Sequence, residues 1–287
     1  WRDPLMALGA PLLDRDHAVE AFSAFLAWVG ERRSLGAGLV LHTTPRAGPA
    51  AAAIRRATQL RDARFLEFDG GARATAHAHA NLDHMISRQR RRTLGRLRRR
   101  LAERGELTTR VIAGAAVEDE MEAFFELEAS GWKGRRGTAL ASSIRTLALA
   151  RGFIRGLARE GRCKIARLDL DGAPVAAAVL VYAGETAFYW KMAFDERYAA
   201  YSPGAQLMVE LSRTMLAEPD FALMDSCAEP GAQVVESIWK GRRRMADFLV
   251  GGPGLGFTVA GEIEGARRGL RAGAKKVYRS LAGRLDR

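Results

Sequence analysis

Two cysteines, Cys163 and Cys227, are all that 287 residues carry. That is too few for a disulfide framework, and their spacing matches no zinc site. Histidine is nearly as scarce, at five. Three of these, His77, His79 and His84, lie near Asp83 in an alanine-rich connector without a ligand frame, so no metal is expected. No apolar run reaches the roughly 18 residues that a membrane span requires. No basic-then-apolar signal segment opens the chain, although Trp1 stands where an initiator methionine would, so a leader ahead of it stays open. A reducing cytoplasm is the expected location. Acidic residues are also in short supply, 33 against 45 basic ones, for a net charge of +12. What is plentiful is ordinary globular material: 48% hydrophobic residues with 30 glycines and 9 prolines exclude disorder, and the length suffices for one large or two modest domains.

The positive charge is concentrated in two blocks. Arg88 to Arg104 carries nine arginines, with Leu94, Leu97 and Leu101 at i, i+3 and i+7 marking the apolar stripe of an otherwise cationic helix. Arg267 to Arg287 repeats the idea with Leu270, Val277 and Leu281. RNA, an anionic membrane surface or a phosphorylated ligand are the partners such blocks suit; the alternative is a solvated helix face in an arginine-rich protein. Nothing here is a signature of an oligomeric state.

Periodicity orders the rest. Helical spacing covers 12–29, a short strand follows at 36–41, then a helix at 50–60 and a strand at 64–68. Beyond the basic helix come a strand at 108–113, a helix at 118–130, a Gly-bracketed loop at 131–138 and a helix at 142–159. Strands at 164–170 and 174–181 flank Asp171-Gly172, a hairpin signal. A third strand at 186–194 leads to a helix, a strand at 221–224, a short helix ending at Trp239, and strands near 245–250 and 256–259. This order predicts a mixed sheet with helices on its faces and a helical crossover between the third hairpin strand and 221–224.

The junction Tyr201-Ser202-Pro203-Gly204 is where the period changes from strand to helix. Ser202 suits the N-cap, Pro203 the first helical position, and Gly204 a close approach to the backbone. Free amides at such a start form an anion site. An ordinary strand-to-helix connection is the rival reading.

Several ordered motifs now agree. Leu127-Glu128-Ala129-Ser130-Gly131-Trp132-Lys133-Gly134-Arg135-Arg136-Gly137-Thr138, Tyr189-Trp190-Lys191 with Phe194-Asp195-Glu196, the Tyr201 to Gly204 junction and Asp225-Ser226-Cys227-Ala228 resemble the GNAT-superfamily acyltransferases associated with cellulose and exopolysaccharide biosynthesis. The basic helix is similar to the one joining the two halves of their FemABX-like relatives. The resemblance implies an α+β fold of tandem GNAT-like domains, each a mixed, mostly antiparallel sheet flanked by helices, the first shorter or truncated. The expected divisions are 1–105, including the linking helix 85–104, then 106–261 as the acyltransferase domain, and a basic C-terminal helix at 262–287.

The resemblance also implies acetyl-CoA or another acyl-CoA as co-substrate, with no metal. Its pyrophosphate would lie on Tyr201, Ser202, Gly204, Ala205 and Gln206, and its thioester against Met192, Ala193 and Phe194. The usual signature of two spaced glycines is replaced here by Ser-Pro-Gly-Ala. Direct acyl transfer to an amine needs a base and an oxyanion donor. Asp225, at the end of its apolar strand, is the first candidate to bind or deprotonate the acceptor; capping of the next turn is its alternative. Glu196 beside Asp195 is a second candidate base, against a salt-bridged role. Tyr201, or Tyr198, is a candidate acid, against packing. Cys227 reads as a structural thiol rather than a nucleophile. Trp132, Lys133 and Arg135, with Arg136, form a candidate binding loop, and Lys191 and Trp239 complete the substrate set. The leading expectation is an acyl-CoA-dependent N-acyltransferase acting on the amine or hydroxyl of a small polar or sugar-type acceptor. The alternatives are a FemABX-like transfer from aminoacyl-tRNA and a non-catalytic protein that binds nucleic acid or a membrane surface.

Overall fold

The computed structural model describes residues 5–31, 38–217, 221–252 and 254–285. Gly36 and Ala37, the start of the expected first strand, lie outside them. The described chain divides into two compact units, Trp1–Gly71 with Arg244–Arg287 and Ala72–Arg243. The division falls within two strands, β2 (Arg64–His77) and β8 (Gly241–Gly251).

In the first unit, α1 (Ala18–Gly30) and α2 (Pro49–Leu60) cover β1 (Leu39–Pro45), which pairs antiparallel with β8 from Leu39↔Val250 to Pro45↔Met245. Phe22 and Leu26 of α1 and Ile54 and Ala57 of α2 form one cluster with Phe248 and Val250. The residues 256–259, read above as a strand, instead open α10 (Leu255–Leu285). A four-residue apolar run does not distinguish strand from helix, and here the contacts recur at helical spacing. Phe257 is buried, and Glu264 and Arg268 reach a buried knot at Asp247. There the Asp247 carboxylate takes bonds from His42 Nδ1 at 3.0 Å, the Thr43 amide and Arg268. Among the described residues this is also where three potential metal ligands converge, His42, Asp247 and Glu264, but the Arg268 guanidinium already bonds both carboxylates.

The second unit is a six-strand sheet in the order β3 (Leu107–Ala113), β4 (Cys163–Leu170), β5 (Ala173–Ala183), β6 (Thr186–Phe194), β7 (Leu223–Asp225) and the end of β2. The β4–β5 turn carries positive φ at both Asp171 and Gly172, as a two-residue hairpin loop demands. Among the described pairings of these six strands only β6 and β7 are parallel, joined by the crossover helix α8 (Pro203–Leu216). The sheet is thus mixed and mostly antiparallel, as expected. On one face α8 and the basic helix α4 (Arg88–Ala102) pack on β4 and β5, with Leu94, Leu101, Leu207 and Leu211 in a single core. Alternation turns Ile165, Ala177 and Val179 to the other face, where α5 (Ala116–Ser130) and α7 (Ile144–Arg159) lie.

Two expectations therefore change. The basic helix belongs to the second unit, because Leu94 and Leu101 are buried in that unit's core, rather than closing a first domain at 105. The C-terminal helix belongs to the first unit, and starts at Leu255 rather than 262. His77 is also not in a connector; it pairs with Leu223 in β2, which runs nine residues past its expected end because Gly70-Gly71 does not break it.

Burial pushes the Asp247 carboxyl upward, but the bonds from His42, Thr43 and Arg268 outweigh it and hold the group below its ordinary value. A depressed folded value means that this stabilisation is complete above the unfolded value of about 4 and is lost as pH falls through the folded one. Urea denaturation across about pH 2 to 6 should therefore show an acid-side loss of stability that Asp247→Asn makes shallower; an unchanged slope would exclude this group as its source.

Candidate active site

The site grows out of a short pairing. β6 and β7 are in register only at Thr186↔Leu223, Ala187↔Met224 and Phe188↔Asp225. Past Asp225 the chain turns away, with Cys227 at φ 52°, while β6 continues to Phe194. β6 also carries a bulge: Leu180 faces Tyr189 and Val179 faces Lys191, leaving Trp190 over. The extra residue puts Tyr189, Met192 and Phe194 together against the α8 side. Trp190 instead packs against Phe153 of α7, ring centroids 5.0 Å apart. Between the freed strand and α8 lies a cleft of about 200 Å³, lined mainly by apolar side chains including Tyr189, Met192, Phe194, Pro203 and Val235.

The start of α8 borders this cleft but differs from the anion site expected there. Ser202 is the N-cap residue, yet its backbone is left-handed (φ 52°, ψ 51°) rather than extended, and its side chain makes no capping bond. Pro203 has no amide, and the amides of Ala205 and Gln206 both donate to Ser202 O at 3.1 Å. Of these first positions only the Gly204 amide makes no bond within the described chain. Gly204 does serve a close approach, but the neighbour is Met192, whose Sδ and Cε lie 3.0 Å from where a Cβ would stand. Gln206 is buried, with Nε2 bonded to Tyr201 O and Oε1 without a partner. Ala193 is buried and Phe194 half-buried beside them.

Asp225 is wholly buried, and both of its oxygens are engaged. Oδ1 accepts from the Cys227 amide at 2.9 Å and faces Arg73 Nη1 at 3.6 Å; Oδ2 accepts from Arg243 Nη1 at 3.2 Å. The geometry is that of a charge-compensated anchor, with the turn-capping bond that was the alternative reading. Glu196 is likewise committed: it accepts from Arg135 at 2.6 Å and from the Trp132 amide at 2.8 Å, and these bonds hold its carboxyl below the ordinary range. A carboxylate so held is a poor base near neutrality. Burial pushes the Cys227 thiol up to about 12, so it is no thiolate.

The loop 131–138 contains one helical turn, α6 (Trp132–Arg135). Lys133 reaches from it to the buried carboxylate of Glu128 at 2.8 Å and to Met192 O at 2.7 Å. Arg135 pairs with Glu196, so both cations expected to hold substrate tie α6 to β6 and its following turn instead. Trp132 is exposed, with Arg136 5.3 Å above its ring. Lys191 is half-buried and lies 5.8 Å over the Trp190 ring. Burial lowers its proton affinity, against the pull of Glu128 and with the push of Lys133. Tyr201 lies beneath Arg100 and Arg104, each 6.0 Å from its ring.

Trp239 is not placed to touch a substrate. It is fully buried, its Nε1 donates to Ser212 Oγ at 2.8 Å, and its ring meets Tyr189 edge-on. Sequence reasoning passed over Tyr189, whose buried hydroxyl has no partner among the described residues and whose proton affinity burial raises. It also passed over Glu128, although its spacing of three and four residues from Phe125 and Phe124 puts it on the buried stripe of α5.

A family profile described as an acetyltransferase (GNAT) domain matches residues 88–231, half of the chain. The chain belongs to that family. Among solved structures, FemX is similar with a TM-score of 0.56 at 12% identity, over 86% of this chain and 82% of that one. The C-terminal domain of a provisionally named lysylphosphatidylglycerol synthetase from Agrobacterium fabrum gives 0.54 at 15%, over 86% and 77%. L-PGS from Bacillus licheniformis gives 0.48 at 13%, over 77% and 70%. At such identities the likeness is one of fold. No curated protein sequence matches the chain.

Removing Arg243 strips Asp225 of one of its two cations. Arg243→Ala should lower the unfolding free energy by about 2–3 kcal/mol, less than the roughly 3–5 of an isolated buried pair because Arg73 remains. Asp225→Asn combined with Arg243→Met should recover most of it; a double variant no more stable than the single one would show that uncompensated charge is not the cause.

Proposed function

We propose that this chain is a GNAT-fold acyltransferase whose donor is an aminoacyl-tRNA, and that it passes the aminoacyl group directly to an amine of a polar acceptor. One observation carries the reading. Arg88, Arg92, Arg96 and Arg99 are exposed at i, i+4, i+8 and i+11, along one side of α4, and form no ion pair among the described residues, while Arg100 and Arg104 lie over the ring of Tyr201, the neighbour in sequence of cleft-lining Ser202. Over the helix this is a cationic row of about 20 Å, suited to the phosphates of a long polyanion. The first turn of α8, by contrast, has one amide to spare for a pyrophosphate.

In the reaction, the acceptor amine attacks the ester carbonyl, the bond to the ribose oxygen breaks, and the amine proton passes to that oxygen. The developing oxyanion needs a donor, a role we assign to the unbonded Gly204 amide at the cleft. Lys191, half-buried and without a carboxylate bond among the described residues, is assigned to an anionic group of the acceptor. Asp225 and Glu196 hold the site together rather than move protons.

A second reading, acyl-CoA as donor, is favoured by the apolar cleft, which suits the pantetheine arm. The two separate on binding. Charged tRNA should bind with a strong salt dependence, and Arg92→Glu with Arg96→Glu should weaken it at least about tenfold without changing the melting temperature. Transfer of labelled amino acid from tRNA to an amine acceptor should fall with it. A rise in melting temperature with acetyl-CoA, and no binding of charged tRNA, would overturn the proposal in favour of the second reading.

A further inference from the structure

α10 has two faces of opposite character. On one, Phe257 is buried under Arg64, the backbone of Gly261 lies against Leu66 and Leu249, and Glu264 and Arg268 join the Asp247 knot. On the other, Leu255 is 84% exposed, Val259 49%, Ile263 61% and Leu270 76%. Single exposed apolar side chains are ordinary; four in one row along a helix are not.

The spacing of the row says what shape of partner it meets. In the sequence, Leu255, Val259, Ile263, Ala266, Leu270, Ala274, Val277 and Leu281 follow one another at intervals of 4, 4, 3, 4, 4, 3 and 4. That is an eleven-residue repeat, which stays close to one face of a straight helix, whereas a left-handed two-stranded coil requires seven. A left-handed coil with a second copy of the helix does not fit the row. Charge points the same way. From Arg267 onward there are eight basic residues and one acidic one; Arg267 and Arg268 pair with Glu264 and Asp247, and the remaining excess would make two copies repel while an anionic surface attracts. The glycines at 265, 269 and 273 have nothing within 4 Å of where a Cβ would stand. Each costs about 1 kcal/mol against alanine in a helix interior, so this stretch gains from whatever covers its apolar side.

We propose that α10 is an interfacial helix, which lays the Leu255, Val259, Ile263 and Leu270 row into the headgroup boundary of an anionic phospholipid bilayer while its basic residues meet the lipid phosphates. The inference is independent of the donor proposed above. It is tested on the full chain by cosedimentation with vesicles of phosphatidylglycerol and phosphatidylcholine, against vesicles of phosphatidylcholine alone. Binding should require the anionic lipid and fall several-fold as salt rises from about 50 to about 500 mM. Val259→Gln, Ile263→Gln and Leu270→Gln together should weaken it at least about tenfold with the melting temperature unchanged. Leu270→Gln alone, the mildest change, should give an intermediate loss. The proposal is overturned if the chain ignores anionic vesicles, if the triple variant binds them as well as the parent does, or if the row instead holds a dimer that the triple variant dissociates.

Discussion

The buried carboxylate of Asp225 is the constraint on which the second unit turns. It sits at the last residue of β7, and its partners come from three directions: Arg73 on β2, Arg243 on β8, and the Cys227 amide just beyond it. A charge removed from water must keep such partners, so the end of β7 is pinned where it stands. The chain then has to turn off the sheet, and β6 runs on beyond its neighbour. The cleft beside α8 follows from that parting and from the bulge at Trp190, which gathers Tyr189, Met192 and Phe194 on the same side.

The same economy explains why so many candidate functional groups are already occupied. Lys133, Arg135, Glu128 and Glu196 form a linked set of ion pairs and backbone bonds that fastens α6 to β6 and its following turn. What has no hydrogen bond or ion pair among the described residues is different in kind: the Lys191 amine, which lies over the Trp190 ring, the Gly204 amide, the Tyr189 hydroxyl, and the arginine row along α4. α4 uses its leucines to bind the core and its arginines to face outward, a division visible in its heptad-like spacing.

Much of the fold was legible before any coordinate. The basic helix, the Asp171-Gly172 hairpin, the three-strand meander and the parallel return through α8 all follow from period and turn chemistry, because each is set by neighbours within a few residues. Position along the chain also brought the Ser202 junction, the end of β7 and the β6 edge into one region. The roles within that region were less legible. Asp225, Glu196 and Lys133 have the residue types of catalysis or binding, yet the decisive fact for each is a partner 18 to 64 residues away. Trp239 fails as a substrate contact for the same reason, since Ser212 and Tyr189 enclose it from other elements.

By itself, the sequence determined the class of fold and the cationic character of α4, since periodicity and local charge are properties of short segments. Tertiary structure alone decided that the α8 amides are largely spent, that the candidate bases Asp225 and Glu196 are clamped by arginines, and that residues 256–259 begin a helix with one apolar side left open. Those outcomes depend on which distant groups meet. A carboxylate becomes an anchor or a base, and an apolar run a strand or a helix face, only when the desolvation and hydrogen bonding supplied by its neighbours are in place.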